Sequence, residues 1–140
     1  MTTEFMRDLL SKDEKITVEY KTCQHGIQED VYDTVCSFSN RYGGYIIMGV
    51  EDDGTPIGIN PNLIKDMKKN FVNQLNNPSK MSPTLYLSIE DFEYEGMTLL
   101  WVYVPPTATV EKCGNRIYDR NEDGDMDITE IRTKPGGRKE

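Results

Sequence analysis

The sequence predicts an α+β fold in which a mostly antiparallel sheet carries two main helices packed on it. Apolar residues recur every three or four positions over residues 27–41, as on a helix with one buried face. An apolar run follows at residues 45–50, which is typical of a central strand. The turn signals Asp53-Gly54 and Glu95-Gly96 then separate further strand-like segments.

The first half of the chain predicts a short helix, a strand, a longer helix and a hairpin. Residues 3–11 form an amphipathic helix, and residues 16–22 alternate apolar and polar side chains as a strand does. The helix over residues 27–41 ends before Gly43, a residue type that favours a helix stop. After the central strand, residues 56–59 form the return strand of a hairpin.

The second half begins with a helix and continues as strands. Asn60-Pro61 places a proline in the first turn of the helix, where it is tolerated. Residues 85–94 and 97–104 form a hairpin, and residues 116–119 a further strand before an acidic turn. We expect residues 1–132 to be a single domain, and residues 133–140 to be a polar tail or a linker to a missing C-terminal region.

The composition favours a globular, cytoplasmic protein. The chain has 140 residues, of which 36% are hydrophobic and 29% are charged. No apolar run approaches the roughly 18 residues of a membrane span, so no membrane association is expected. The N-terminus lacks the apolar core of an export signal, and the three cysteines form no CxxC pair or disulfide framework.

The charge is acidic overall but basic on one helix. The formal net charge is −8, which argues against a simple basic coat for nucleic acid. Residues 61–80 nevertheless carry four lysines against one aspartate, a local net of +3. This segment predicts either a local face that contacts phosphates through Lys65, Lys68 and Lys69 or an ordinary solvated helix face.

Several segments together resemble the Schlafen/AlbA-like domain family. They are Glu19-Tyr20-Lys21 in a strand, the run 37–44 (SFSNRYGG), the run 48–54 (MGVEDDG) and Tyr118-Asp119-Arg120. The resemblance covers roughly residues 9–131. It implies the α+β fold of that family and two different functions.

The first implied function is a nucleic-acid-binding, chiefly DNA-binding, domain of a bacterial regulator or defence protein. Such a domain needs no cofactor and performs no chemistry of its own. With the lysine helix, the residues predicted to contact DNA or RNA are Lys21, Asn40, Gly43, Gly44, Lys65, Lys68, Lys69 and Arg120.

The second implied function is a metal-dependent ribonuclease that cuts tRNA-like RNA. The family's two Glu and one Asp fall on Glu14, Glu19 and Asp52, which would hold Mg²⁺ or Mn²⁺ through oxygen ligands. The Schlafen nuclease joins two lobes around its RNA, whereas this chain has one. A homodimer would have to supply the second lobe.

A third reading comes from the acidic segment at residues 119–130. Its spacing fits a twelve-residue calcium loop, with ligands predicted at Asp119, Asn121, Asp123, Asp125 and Glu130. The preceding segment is strand-like and does not supply the entering helix of that motif. Calcium binding or a protein-interaction role therefore stays open beside an acidic hairpin.

Overall fold

The computed structural model describes residues 1–11 and 16–131. Glu14, Arg132 and the predicted tail at 133–140 lie outside the described residues. The described part of the chain contains three helices and eight strands, in chain order α1 (Thr3–Ser11), β1 (Val18–Lys21), α2 (Asp30–Ser39), β2 (Gly44–Met48), α3 (Pro61–Leu75), β3 (Met81–Ser82), β4 (Ile89–Tyr94), β5 (Met97–Val104), β6 (Lys112–Cys113), β7 (Tyr118–Asn121) and β8 (Gly124–Asp127).

The main sheet has four strands in the order β1-β2-β5-β4. Strand β2 is internal, as its apolar sequence predicts, and Ile46, Ile47 and Met48 are fully buried. It pairs antiparallel with β5, which pairs antiparallel with β4. Strand β1 pairs parallel with β2, because the whole of α2 lies between them and returns the chain to the same end. The α+β fold is confirmed.

Helices cover the two faces of this sheet unequally. On one face, α2 and α3 pack against β2 and β5 in the larger core, in which Phe38 and Phe71 are fully buried. On the other face, the nine-residue α1 covers a smaller core through Met6 and Leu9. The two main helices therefore share one face as predicted, and α1 leaves part of the second face uncovered. Within the described residues, no helix is both long and apolar enough to span a bilayer.

Two small sheets complete the fold. Strands β3 and β6 pair over two residues each, and β7 and β8 form a hairpin. The predicted return strand at residues 56–59 is wrong, because only one bridge, between Val50 and Pro56, forms there. The amides of Ile57 and Gly58 both donate to the carbonyl of Gly49, which makes this segment a tight loop.

Candidate functional site

A polar pocket of about 270 Å³ lies where the β7–β8 hairpin meets the edge of β1. Arg120 is at its centre, with its Nη1 2.9 Å from Glu19 Oε1 and 2.9 Å from Asp125 Oδ1. Asp125 also accepts hydrogen bonds from Thr34 and Ser37 of α2 at 2.6 and 2.5 Å. Lys21 is 3.5 Å from Glu19 and 2.9 Å from Asp30.

Arg120 also protects the free edge of β1. Its Nε donates to the carbonyl of Ile16 at 3.2 Å, and its Nη2 to the carbonyl of Val18 at 3.3 Å. The guanidinium carbon lies 4.8 Å from the centroid of the Phe38 ring. Arg120 is buried, so the predicted phosphate contact conflicts with its place in the fold. Its donors bind the sheet edge and two carboxylates.

Asn40, another predicted contact residue, is a buried connector. Its side chain accepts from the amide of Glu111 at 2.7 Å and donates to the carbonyls of Glu111 and Tyr118, each at 2.9 Å. This side chain thus joins the end of α2 to two distant segments. A contact with nucleic acid would break these buried hydrogen bonds.

The Gly43-Gly44 turn is tightly packed. The amide of Gly43 donates to the carbonyl of Phe38 at 2.8 Å and closes the end of α2. A Cβ on Gly43 would lie 2.6 Å from the carbonyl oxygen of Val104, and one on Gly44 2.6 Å from that of Thr17. Close packing explains both glycines, and the Gly43 amide is already used within the fold.

The carboxylates assigned to the nuclease alternative do not converge among the described residues. Glu19 points away from Val18 and Tyr20 and pairs with Arg120. Asp52 is exposed in a turn that contacts α1 through Gly54, on the other side of the sheet. No group of three or more His, Cys, Asp or Glu placed to hold a metal occurs in residues 1–11 and 16–131. The third predicted carboxylate, Glu14, lies outside the described residues, so Mg²⁺ or Mn²⁺ binding stays a prediction.

The predicted calcium loop forms a β-hairpin, in which alternate side chains point to opposite faces. Asp119 pairs with Arg41, whereas Asp125 pairs with Arg120 on the other face. The Asn121 side chain accepts from the amide of Asp123 and tightens the turn. Glu130 lies beyond the hairpin, 4.0 Å from Arg116. These oxygen ligands do not surround a common point, so calcium binding stays a prediction without geometric support.

The three predicted lysines of α3 differ in exposure. Lys65 and Lys69 are exposed, and no ion pair is found for either one in the described part of the chain. Lys68 is half-buried and forms an ion pair with Asp91 of β4. Lys21 is held by Glu19 and Asp30 on another part of the molecule, so it does not extend this face.

Asparagines complete the exposed side of α3. Asn62 and Asn73 are exposed and follow the helical spacing of Lys65 and Lys69 along one side. These asparagines were not predicted as contact residues, because charge alone singled out this helix. The repeat at three and four residues was the signal that could have found them.

The buried Glu111 was also missed. It is 1% exposed, and its Oε2 has no hydrogen-bond partner among residues 1–11 and 16–131. Burial raises the pKa of this carboxyl to about 7. Burial likewise raises the pKa of the neighbouring Cys36 and Cys113 thiols to about 12 and about 11, so both stay protonated at neutral pH.

Comparisons with solved structures identify two similar domains. The N-terminal domain of a protein from Nitrosomonas europaea described as related to the ATP-dependent DNA helicase RecG is 28% identical, with a TM-score of 0.58. The match covers 74% of this chain and 72% of that one. The DIP2311 protein from Corynebacterium diphtheriae is 17% identical with a TM-score of 0.60, which shows a shared fold. That match covers 90% of this chain but 26% of the other.

No curated protein is significantly similar to the chain. The family model described as Schlafen, AlbA_2 matches residues 14–129, which is most of the sequence. The matched range includes the strand with Glu19, the Gly43-Gly44 turn and the β7–β8 hairpin. These three segments are joined by the contacts described above. The chain therefore belongs to the Schlafen, AlbA_2 family.

Proposed function

We propose that this domain binds nucleic acid, and DNA in particular, through the exposed side of α3. The observation that carries the proposal is the row formed by Asn62, Lys65, Lys69 and Asn73. Lysine ammonium groups contact phosphates as point charges, and side-chain amides donate to phosphate or to base edges. This row is called the α3 face below.

Length and charge suit the α3 face to this role. Helix α3 has 15 residues, which corresponds to roughly 22 Å at about 1.5 Å per residue. It carries three lysines and one aspartate within a chain of net charge −8. The surrounding negative charge repels phosphates, so we expect weak binding by one domain. A second copy or a neighbouring domain would strengthen it by linking two contacts.

The similar structure from Nitrosomonas europaea supports DNA as the ligand, since that protein is described as related to a DNA helicase. Placement of the domain in a regulator or defence protein stays a prediction from the family resemblance. No cofactor is needed for this binding, because it rests on charge and hydrogen bonds alone.

The test compares two charge-matched double variants in duplex DNA and tRNA binding at several salt concentrations. Lys65→Ala/Lys69→Ala removes the α3 cations, whereas Arg7→Ala/Lys112→Ala removes two exposed cations elsewhere. We expect the first variant to weaken binding and to reduce the slope of log K against log salt by roughly 2, at about 0.9 per phosphate contact on DNA. Equal effects of both variants would contradict the α3 face. Binding that is insensitive to salt would contradict the function itself.

A further inference from the structure

The loop that joins β5 to β6 runs over the end of α2 and then enters the interior. Residues 105–110 are all exposed, whereas Glu111, the last residue of the loop, is 1% exposed. The neighbouring Val110 is 40% exposed. The loop therefore buries a carboxyl and leaves an aliphatic side chain in water, which reverses the usual preference of the two residue types. We call residues 105–111 the β5–β6 loop.

The buried carboxyl suits its place only when it is neutral. A neutral carboxyl can be buried at moderate cost, whereas an ionised one loses its hydration and needs hydrogen bonds or a cation in return. The Oε2 atom of Glu111 has no hydrogen-bond partner among residues 1–11 and 16–131. Ionisation of Glu111 therefore places an unsatisfied charge in the interior.

The titratable groups beside Glu111 and its two neighbouring thiols do not neutralise such a charge. They are Asp33 and Cys36 of α2, Lys80 before β3, Lys112 and Cys113 of β6, and Tyr118 of β7. Burial raises the pKa of Cys36 to about 12 and that of Cys113 to about 11, and it also raises the pKa of Tyr118, so all three are neutral at neutral pH. Of the two lysines, Lys80 forms an ion pair with Glu29 and Lys112 is exposed.

The same residue anchors the backbone of the β5–β6 loop to α2. The amide of Glu111 donates to Asn40 Oδ1 at 2.7 Å, and its carbonyl accepts from Asn40 Nδ2 at 2.9 Å and from Cys36 Sγ at 3.0 Å. Earlier in the loop, the amide of Thr107 donates to the carbonyl of Ser39 at 2.9 Å. Because Glu111 supplies both the buried carboxyl and the anchored backbone, its side chain cannot reach water unless these contacts loosen.

Two thiols lie beneath this anchor. Cys36 is 0% exposed and is covered directly by the carbonyl of Glu111. Cys113 is 7% exposed and follows Glu111 by two residues. A third buried thiol, Cys23, is held elsewhere, in a loop where its amide accepts no part of this anchor and donates to Gln28 Oε1 at 3.1 Å. The chain thus supplies its own reference for an opening confined to the β5–β6 loop.

We propose that the β5–β6 loop is a pH-sensitive latch, in which loss of the Glu111 proton releases the loop from α2 and uncovers the Cys36 and Cys113 thiols. The carboxyl gives its proton to water, and no covalent bond between heavy atoms changes. Release exposes little new apolar surface, because residues 105–110 are already exposed in the closed loop. The closed and released loops are therefore two states that the charge of one residue can bias.

The direction of the pH dependence follows from the two states. In the closed loop, burial raises the pKa of Glu111 from 4.5 to about 7, whereas the released carboxyl is in water and returns to its ordinary value. The closed loop holds the proton more tightly, so release becomes more favourable as the pH rises from about 4.5 to about 7 and then levels off. Between about pH 5.5 and about pH 7.5, the released fraction should increase at least about tenfold.

The experiment measures how fast N-ethylmaleimide modifies each cysteine, with peptide mass spectrometry to separate the three sites. The unchanged chain and Glu111→Gln are compared at about pH 5.5 and about pH 7.5. The intrinsic effect of pH on thiol reactivity is common to both proteins, so the ratio of their rates isolates the latch. We expect this ratio to rise at least about tenfold at Cys36 and Cys113, and to stay constant at Cys23.

Two further variants complete the comparison. Glu111→Leu fills the site with an apolar side chain, and it keeps the test valid if the buried amide of Glu111→Gln destabilises the fold. Its thiols should stay protected at both pH values. Glu90→Gln is the matched control, because it removes a carboxyl that is exposed on β4 and should preserve the pH dependence of the unchanged chain.

Three results would overturn the proposal. The first is a parallel increase at all three cysteines, since the whole domain would then open instead of the loop. The second is a pH-dependent increase at Cys36 and Cys113 that persists in both Glu111 variants, since another group would then be responsible. The third is the absence of any increase over Glu111→Gln in the unchanged chain. None of these results depends on nucleic-acid binding, so the latch and the proposed function fail separately.

Discussion

Arg120 Nη1 lies 2.9 Å from Glu19 Oε1, which joins a late hairpin to the first strand of the sheet. The same guanidinium neutralises Asp125 and donates to the carbonyl of Ile16, just before β1, and to that of Val18 in β1. In this chain the arginine of the family motif lies beside Glu19, one of the three carboxylates predicted for the nuclease alternative. The ion pair between Arg120 and Glu19 therefore stabilises the fold.

Arg120→Ala should destabilise the domain strongly. It removes the cation that Glu19 and Asp125 share and leaves Glu19 with Lys21 at 3.5 Å, and loss of one partner from a buried ion pair typically costs about 3–5 kcal/mol. Urea unfolding followed by circular dichroism measures the change. Arg116→Ala is the matched control, since Arg116 pairs with Asp127 at the surface and its removal should barely move the midpoint. Equal midpoints for both variants would refute this role of Arg120.

Gly44→Ala should destabilise the fold by steric conflict alone. Its Cβ would lie 2.6 Å from the carbonyl oxygen of Thr17 and 2.8 Å from the Phe38 ring. We expect about 1–3 kcal/mol, the usual cost of overpacking a core. Gly96→Ala provides the comparison: it has φ of 79° but nothing within 4 Å of the added Cβ, so only backbone strain is expected. A smaller drop in melting temperature for Gly44→Ala than for Gly96→Ala would contradict the predicted steric conflict.

Glu111 should make stability depend on pH. Burial raises its pKa from 4.5 to about 7, so the folded state favours the protonated carboxyl. This contribution is fully present below about pH 4.5 and is lost as the pH rises to about 7, by on the order of 2–3 kcal/mol. Glu111→Gln has a neutral side chain at every pH, so it removes this loss of stability at higher pH. Its gain in unfolding free energy over the unchanged chain should be larger at about pH 8 than at about pH 5; a gain that does not vary with pH would contradict the shift.

Calcium should leave the melting temperature unchanged at millimolar concentration. The β7–β8 hairpin divides its carboxylates between two faces, and Asp119 and Asp125 are paired with arginines. A ligand that binds only the folded state raises stability with its concentration, so differential scanning calorimetry is sensitive to a site. A rise that disappears in Asp123→Asn would establish a calcium site at the exposed turn.

We expect labelled tRNA to remain intact both with Mn²⁺ and with EDTA. Glu19 is paired with Arg120, and Asp52 lies in an exposed turn on the other side of the sheet. Fragments that need Mn²⁺ and vanish in both Glu19→Ala and Asp52→Ala would establish the nuclease. Cleavage unaffected by either change would identify a contaminant.

Local patterns predicted much of the fold. Helix α3 begins where Asn60-Pro61 predicts, because Asn60 caps the amide of Asn62 and Pro61 needs no donor there. Strand β5 has the predicted bounds, since its alternation and the Glu95-Gly96 turn are both local. The two-residue strands β3 and β6 were missed because their pairing depends on a long-range contact between Met81 and Cys113.

The candidate site was harder to predict because exposure is decided by packing. Arg120 and Asn40 are polar residues beside turns, which resembles a binding surface in the sequence. In the fold, α2 and the β7–β8 hairpin enclose both. Lys65 and Lys69 were predictable, because the periodicity of α3 determines which of its sides faces outward.

The contact of Arg120 with β1 also has a consequence for the order of events during synthesis. Strand β1 is synthesised before the β7–β8 hairpin, so the carbonyls of Ile16 and Val18 lack the Arg120 guanidinium until the ribosome has released the chain as far as Arg120. Until then the nascent chain carries an unprotected strand edge that can pair with a neighbouring chain on the same message. Truncation before Tyr118 would make that temporary hazard permanent, so shortened forms of this domain should aggregate instead of folding to a smaller unit.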